Sequence, residues 1–148
     1  MRALLQRVSQ AQVAIEGKIE GQIQQGYVIL LGVGQNDTAA EAEKLWNKIV
    51  KLRLFADADG KTNLNLEQVG GQVLIVSQFT LYANCKKGNR PSFTNAGSPA
   101  LGEELYEYFL GLAKDSGFAV ASGKFGADMQ VTLTNDGPFT IWLDTDEL

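Results

Sequence analysis

The apolar positions of this chain change period several times, and each change marks the edge of an element. Residues 2–8 read as a strand, with Val13 and Ile15 alternating against Gln12 and Ala14 beyond them. Glu16-Gly17 separates this run from residues 18–23, where Ile19 and Ile23 are the apolar positions. The spacing predicts a β-hairpin whose polar second strand lies at an edge or on the surface. After Gly26, Tyr27, Val28, Ile29, Leu30 and Leu31 are apolar without interruption, as a strand buried on both faces would be. The period then lengthens. Thr38 and Glu41 have capping-box spacing, and Ala42, Leu45, Trp46 and Ile49 form one stripe, so a helix is predicted from Thr38 to about Lys51.

Residues 52–55 read as a short strand. The paired aspartates at 57–63 lack the later ligands of a calcium loop and are read as an Asp-Gly turn. The most distinctive strand is Val73, Leu74, Ile75 and Val76, a β-branched apolar run that turns polar at Ser77, Gln78 and Thr80, with Phe79 between them. Such a strand can hold small hydroxyls and an amide rigidly beside a cleft, although most strand ends carry no chemistry. A polar loop over 83–97 contains Lys86, Lys87 and Arg90, a phosphate-binding lip or simply a solvated loop. Ser98 and Pro99 open a second helix, with Leu101, Leu105, Tyr108, Phe109 and Leu112 predicted inward and Gly117 as its stop. Alternation then returns at Met129, Val131 and Leu133 and at Phe139, Ile141 and Leu143, giving two strands. Asn135-Asp136-Gly137-Pro138 is read as an ordinary turn between them. The pattern predicts a single α+β domain over 1–148: a strongly twisted, barrel-like β assembly with two helices packed on its outside.

Composition narrows the chemistry. There is no histidine, which removes the commonest general base and the commonest metal ligand. The one cysteine, Cys85, forbids an intrachain disulfide and a thiolate zinc cluster. No metal or cofactor is therefore expected, and chemistry would rest on hydroxyls, carboxylates, amides, backbone groups or the substrate. The segment from Gly32 to Asp37 mimics a dinucleotide fingerprint, but Asp37 would put a carboxylate where a pyrophosphate must sit. The net charge of −4 argues against coating nucleic acid by bulk attraction, though not against gripping an end through a local basic patch. No apolar run is long enough to span a bilayer, the first ten residues do not read as a signal peptide, and a cytoplasmic protein is expected.

Two segments gain meaning together. SQFTL at 77–81 and NDGPFT at 135–140 resemble the two signature motifs of the D-aminoacyl-tRNA deacylase (D-tyrosyl-tRNA deacylase) family. MRALLQRV, GKTNLNLEQVGG, KKGNRPSF and FGADMQV are similar to that family too, so the resemblance spans nearly the whole chain. Either motif alone is weak; both in this order and spacing are specific. One departure is Phe139, where the family's pattern usually carries Val, and it bears on the geometry beside Pro138.

The resemblance implies a hydrolase that cleaves the ester joining a D-amino acid, or glycine mischarged on the alanine tRNA, to the terminal adenosine. It implies chiral proofreading that spares L-aminoacyl-tRNA, in a homodimer with its site at the subunit interface. The partner is then the aminoacylated tRNA 3′ end, and neither DNA nor a membrane. The Gly137-Pro138 bond would be cis, its main-chain oxygens gripping the substrate's amino group and its rigidity excluding an L side chain. Ser77, Gln78, Phe79 and Thr80 would be catalytic. Gly137, Pro138, Met129 and Arg7 would bind substrate, with Arg7 bracing the Gly-Pro loop.

Within that frame the backbone amides around Phe79 and Thr80 are expected to polarise the ester carbonyl, with Gln78 and Ser77 positioning substrate. Thr80 is the natural candidate nucleophile, but it lacks a histidine or a lysine adjacent in sequence to activate it. A 2′-hydroxyl on the terminal ribose is the alternative, and the resemblance favours it. Two other classes remain open: an esterase or amidase for small D-amino-acid derivatives, and a non-catalytic module that captures amino acids or RNA ends.

Overall fold

The sheet is assembled on β1 (Arg2–Ile15), which the computed structural model, describing residues 1–148, shows as one long strand. The first half of β1 pairs antiparallel with β3 (Gly26–Gly32) and the second half with β2 (Lys18–Ile23). Along its other edge runs β8 (Gln130–Asp144), also antiparallel. Beyond β3 the sheet continues in parallel through β6 (Gln72–Ser77) to β7 (Val120–Ser122). Strand twist brings the two ends of this row together. A Cβ built on Gly21 of β2 would lie 3.1 Å from Ala121 Cβ of β7, so the sheet is nearly closed into a barrel.

A bulge explains how β1 serves two cores. Val8 faces Asn135 and Gln10 faces Thr134, which leaves Ser9 as an extra residue on β1. The alternation shifts by one at that point. Ala3 and Leu5 join the larger core and Val8 the opposite face by plain alternation, and the shift at Ser9 lets Ala11 and Val13 join Val8 in a smaller core with Ile23, Leu74 and Val76.

The larger core is completed by α1 (Ala39–Lys51) and α2 (Pro99–Asp115), both packed on that side. The capping box forms: Ala40 N–H donates to Thr38 Oγ1 at 3.3 Å, and Thr38 N–H donates to Glu41 Oε2 at 2.6 Å. Ala42, Leu45, Trp46 and Ile49 are buried as the stripe predicts. In α2, Ser98 Oγ accepts from Leu101 N–H at 3.2 Å, with Pro99 in the first turn.

Three readings need correction. Tyr108 faces outward and donates to Glu43, while the inward position belongs to Tyr106, whose hydroxyl donates to Ile75 O at 2.8 Å. The buried arc of α2, from Gly102 through Leu105, Tyr106, Phe109 and Leu110 to Ala113, meets both α1 and the sheet, and so lies to one side of the simplest apolar stripe. The strand expected at 52–55 shrinks to β4 (Phe55–Ala56), which pairs with β5 (Thr62–Leu64) across the Asp57 turn. Finally, residues 135–138 are not a turn between two paired strands. The segments on either side belong to β8 and pair with the same strand, β1, so residues 136–139 are an insert within one strand, opposite Arg7 alone.

Candidate active site

Val73, Leu74, Ile75 and Val76 are at most 2 % exposed, because β6 lies between β3 and β7 with a core on each face. Ser77 ends that strand opposite Leu31, and Gln78 N–H donates to Leu31 O at 2.7 Å. The chain then tightens into a 3₁₀ turn, Phe79–Tyr82, closed by bonds from Leu81 N–H to Gln78 O and from Ala83 N–H to Thr80 O. Such a turn leaves its first amides, here Phe79 and Thr80, outside its own ladder. Gly32 makes room for the turn: a Cβ there would stand 3.0 Å from Gln78 O and 3.1 Å from Leu81 Cβ.

The end of β6 opens on a cavity of about 570 Å³. Of the residues singled out from sequence, Ser77, Gln78, Phe79 and Met129 line it. Thr80 stands beside it, exposed, and its Oγ1 accepts from Gln78 Nε2. A carboxamide is not a base, so this bond orients Thr80 without activating it. The remaining walls were not legible as site: Phe93, Tyr106 and Phe125, with the stretch 96–99. Phe93 is 37 % exposed and packs edge-on against Phe79 at 5.1 Å. A lone aromatic in an otherwise polar loop was the available signal. Tyr106 and Phe125 resemble ordinary core residues and gave none.

No carboxylate, amine or thiol of this chain lines the cavity. Its one phenol, Tyr106, is pushed up to about 12, mainly by burial and further by Glu107. With its proton committed to Ile75 O, Tyr106 is no base near neutral pH. Lys86, Lys87 and Arg90 project from an excursion closed by pairing of Asn84 with Ser92. That excursion leaves the 3₁₀ turn and returns at Phe93, so its two ends meet at the cavity's lip.

Gly137, Pro138 and Arg7 lie elsewhere, none of them lining the cavity. Residues 136–139 stand opposite Arg7 alone, so pairing of β8 with β1 is interrupted there and resumes on both sides. The Gly137-Pro138 bond is cis, and both residues are exposed. Arg7 Nε donates to Asp136 O at 3.0 Å, Nη1 donates to Leu54 O at 2.5 Å, and the guanidinium lies 4.6 Å from the Phe139 ring centre. Phe139 thus packs beneath the cation, half-buried against the larger core. At the edge of the insert, Asn135 Oδ1 accepts from Phe139 N–H at 2.9 Å. Gly137 has φ +132°, and a Cβ there would meet Arg7 Nη2 at 3.0 Å, so the position calls for glycine.

A nearly closed sheet flanked by two helices is an architecture shared with solved structures. A structure described as the c-Myc DNA Unwinding Element Binding Protein superposes with TM-score 0.92 at 38% identity, covering 97% of this chain and 98% of that one. One described as a probable eukaryotic D-amino acid tRNA deacylase has the same fold, with TM-score 0.84 at 18% identity over 96% and 97% of the two chains.

Sequence defines the family. The family model for D-Tyr-tRNA(Tyr) deacylase matches residues 4–144, and the chain belongs to that family. Among its relatives, the D-aminoacyl-tRNA deacylase of Lacticaseibacillus casei is 58% identical over 99% of both chains. That of Thermotoga petrophila is 50% identical over 100% of this chain and 99% of its own. No helix of the chain is long and apolar enough to cross a membrane.

Proposed function

We propose that this protein hydrolyses the ester bond of D-aminoacyl-tRNA, releasing the D-amino acid and free tRNA. Glycine mischarged on the alanine tRNA is a second substrate, because a pocket that works by excluding L side chains has nothing in glycine to exclude. The observation that carries the reading is the division of the two motifs. Ser77, Gln78 and Phe79 line a cleft, whereas Gly137 and Pro138 stand exposed on a separate insert braced by Arg7. In a homodimer the insert of one copy completes the cleft of the other, and the site lies at the interface.

Each part then has a task. The first amides of the turn, Phe79 and Thr80, donate to the carbonyl oxygen as it gains charge, while Gln78 and Ser77 position the substrate. The partner's Gly-Pro insert, its main-chain oxygens on the substrate amino group, stands where an L side chain would go. Chirality is thus read by a clash with L and not by an attraction for D. Met129 forms an apolar wall, and Lys86, Lys87 and Arg90 meet the acceptor-end phosphates.

The cavity's lack of a base supports RNA-assisted chemistry. Water adds to the activated ester carbon and gives up a proton to the 2′-hydroxyl of the terminal adenosine, which passes its own proton to the ribose oxygen as that oxygen's bond to the carbon breaks.

The test is deacylation of one tRNA charged in parallel with the D and L forms of an amino acid, beside a sample ending in 2′-deoxyadenosine. Rapid loss of the D form alone, abolished in the deoxy sample, is expected. D-selective loss that survives the deoxy substitution returns the chemistry to Thr80. No hydrolysis of D-aminoacyl- or glycyl-tRNA overturns the reading.

A further inference from the structure

We infer that Arg2 is a positioning residue for the reaction: it fixes the far end of the 3₁₀ turn whose first amides act on the ester carbonyl. The inference rests on the role proposed above for Phe79 and Thr80. Arg2 lies at the start of β1, paired with Gly32 on one side and Asp144 on the other. Its Nε donates to Asp144 Oδ2 at 2.9 Å, and its Nη1 donates to Leu81 O at 3.0 Å. The guanidinium carbon lies 4.3 Å from the Tyr82 ring centre and 5.5 Å from that of Trp142.

The placement follows from how short turns end. The last carbonyls of a helical turn have no acceptor role inside it, and they carry the negative end of its dipole. A planar guanidinium can donate to such a carbonyl and to a carboxylate at once, with its face against a ring; a lysine ammonium cannot reproduce that fork. Tyr82 is held from its other edge as well, its hydroxyl 3.5 Å from Asp37 Oδ2, which also accepts Gly34 N–H at 2.6 Å. Leu81 and Tyr82 are therefore clamped to the first residues of β1, two positions from Phe79 and Thr80. Arg7, further along the same strand, clamps the Gly-Pro insert in the same manner. Strand β1 thereby sets both halves of the site through two arginines with separable duties.

An amide that donates to the developing oxyanion acts on the transition state more than on bound substrate. Misplacing it lowers kcat and leaves KM and the D-to-L ratio in place. The experiment compares wild type, Arg2→Lys and Trp142→Leu on D- and L-aminoacyl-tRNA, with activity scaled to folded protein. Arg2→Lys should lower kcat by roughly tenfold to a hundredfold, the scale of a small misplacement of reacting groups. Its KM should stay within about twofold and its preference for D should be unchanged. Trp142→Leu, at an exposed position, removes one ring from the stack and should give the same signature at smaller size, so it decides the matter if Arg2→Lys does not fold. Unchanged kcat per folded molecule in both variants, or a loss of D preference, overturns the inference. Wild type without activity on D-aminoacyl-tRNA overturns instead the reading on which it rests.

Discussion

The turn after β6 and the insert in β8 are each clamped by an arginine of β1, but they differ in what carries them. The turn is held from within as well, because it leaves a strand whose four apolar residues are sealed between two cores. The insert is fixed from outside: it stands exposed in a strand paired on one edge, and a single guanidinium with one asparagine gives it shape. Position in the first region therefore depends on the stability of the fold as well as on its clamp. Position in the second can be lost while the fold survives.

Breaking the buried region should produce the largest effect. Ile75→Ala removes a fully buried side chain from the strand that carries the turn. It should cost about 2–5 kcal/mol in urea unfolding, with turnover falling alongside. Unchanged unfolding midpoints would show that burial of β6 does not set the stability of the region.

The insert should respond in the reverse sense. Gly137→Ala forces a side chain into positive φ and against Arg7, a local strain of about 1–3 kcal/mol. Discrimination between D- and L-aminoacyl-tRNA should fall by about tenfold or more. The melting temperature should move far less than in Ile75→Ala. A variant that keeps its D preference would remove the insert from chiral selection.

A third change separates chemistry from support within the turn itself. Gln78→Ala deletes the bond to Thr80 without opening a core, and kcat/KM should fall by about tenfold with an unaltered unfolding curve. The basic excursion should respond more weakly. Charge reversal at Lys86 and Lys87 should raise KM a few-fold, flatten its dependence on salt and leave kcat alone. Equal salt dependence in variant and wild type would place the RNA elsewhere.

The smallest effect concerns the anchor of Arg2. Burial raises the pKa of Asp144, but Asp146 N–H and the Arg2 guanidinium outweigh it and hold the carboxyl below its ordinary value. A depressed pKa contributes stability that is present above the unfolded value, near pH 4, and is lost as pH falls through the folded value. Asp144→Asn should therefore flatten the acid side of the stability profile below about pH 4 and leave its shape near neutrality intact. A profile as steep as that of wild type would assign the acid sensitivity to other carboxylates.

The same contrast explains what could be read from the chain. Helix α1 was legible because its cap and its stripe are local: Thr38, Glu41, Ala42, Leu45, Trp46 and Ile49 fix both start and inner face. Strand β6 was legible because nothing but burial on both faces suits four consecutive apolar residues. The β8 insert was misread because a period of two that stops and restarts looks identical for a hairpin and for a bulge. Only pairing of both flanks with β1, far away in sequence, distinguishes them. The two β-face memberships of β1 were hidden for the same reason, since Ser9 announces no bulge by its chemistry. Likewise the aromatic walls of the cleft, Phe93 and Phe125, come from separate loops that meet only in the folded molecule.

The interruption in β8 also has a bearing on engineering. Since Thr140 resumes opposite Gln6 and Asn135 opposite Val8, residues 136–139 are an insert whose two ends are already spliced into a finished sheet. Such a cassette can be exchanged with the equivalent stretch of another family member without re-registering the barrel. On the role proposed for the insert, selectivity would be portable in a way that the scaffold, committed residue by residue to two cores, is not.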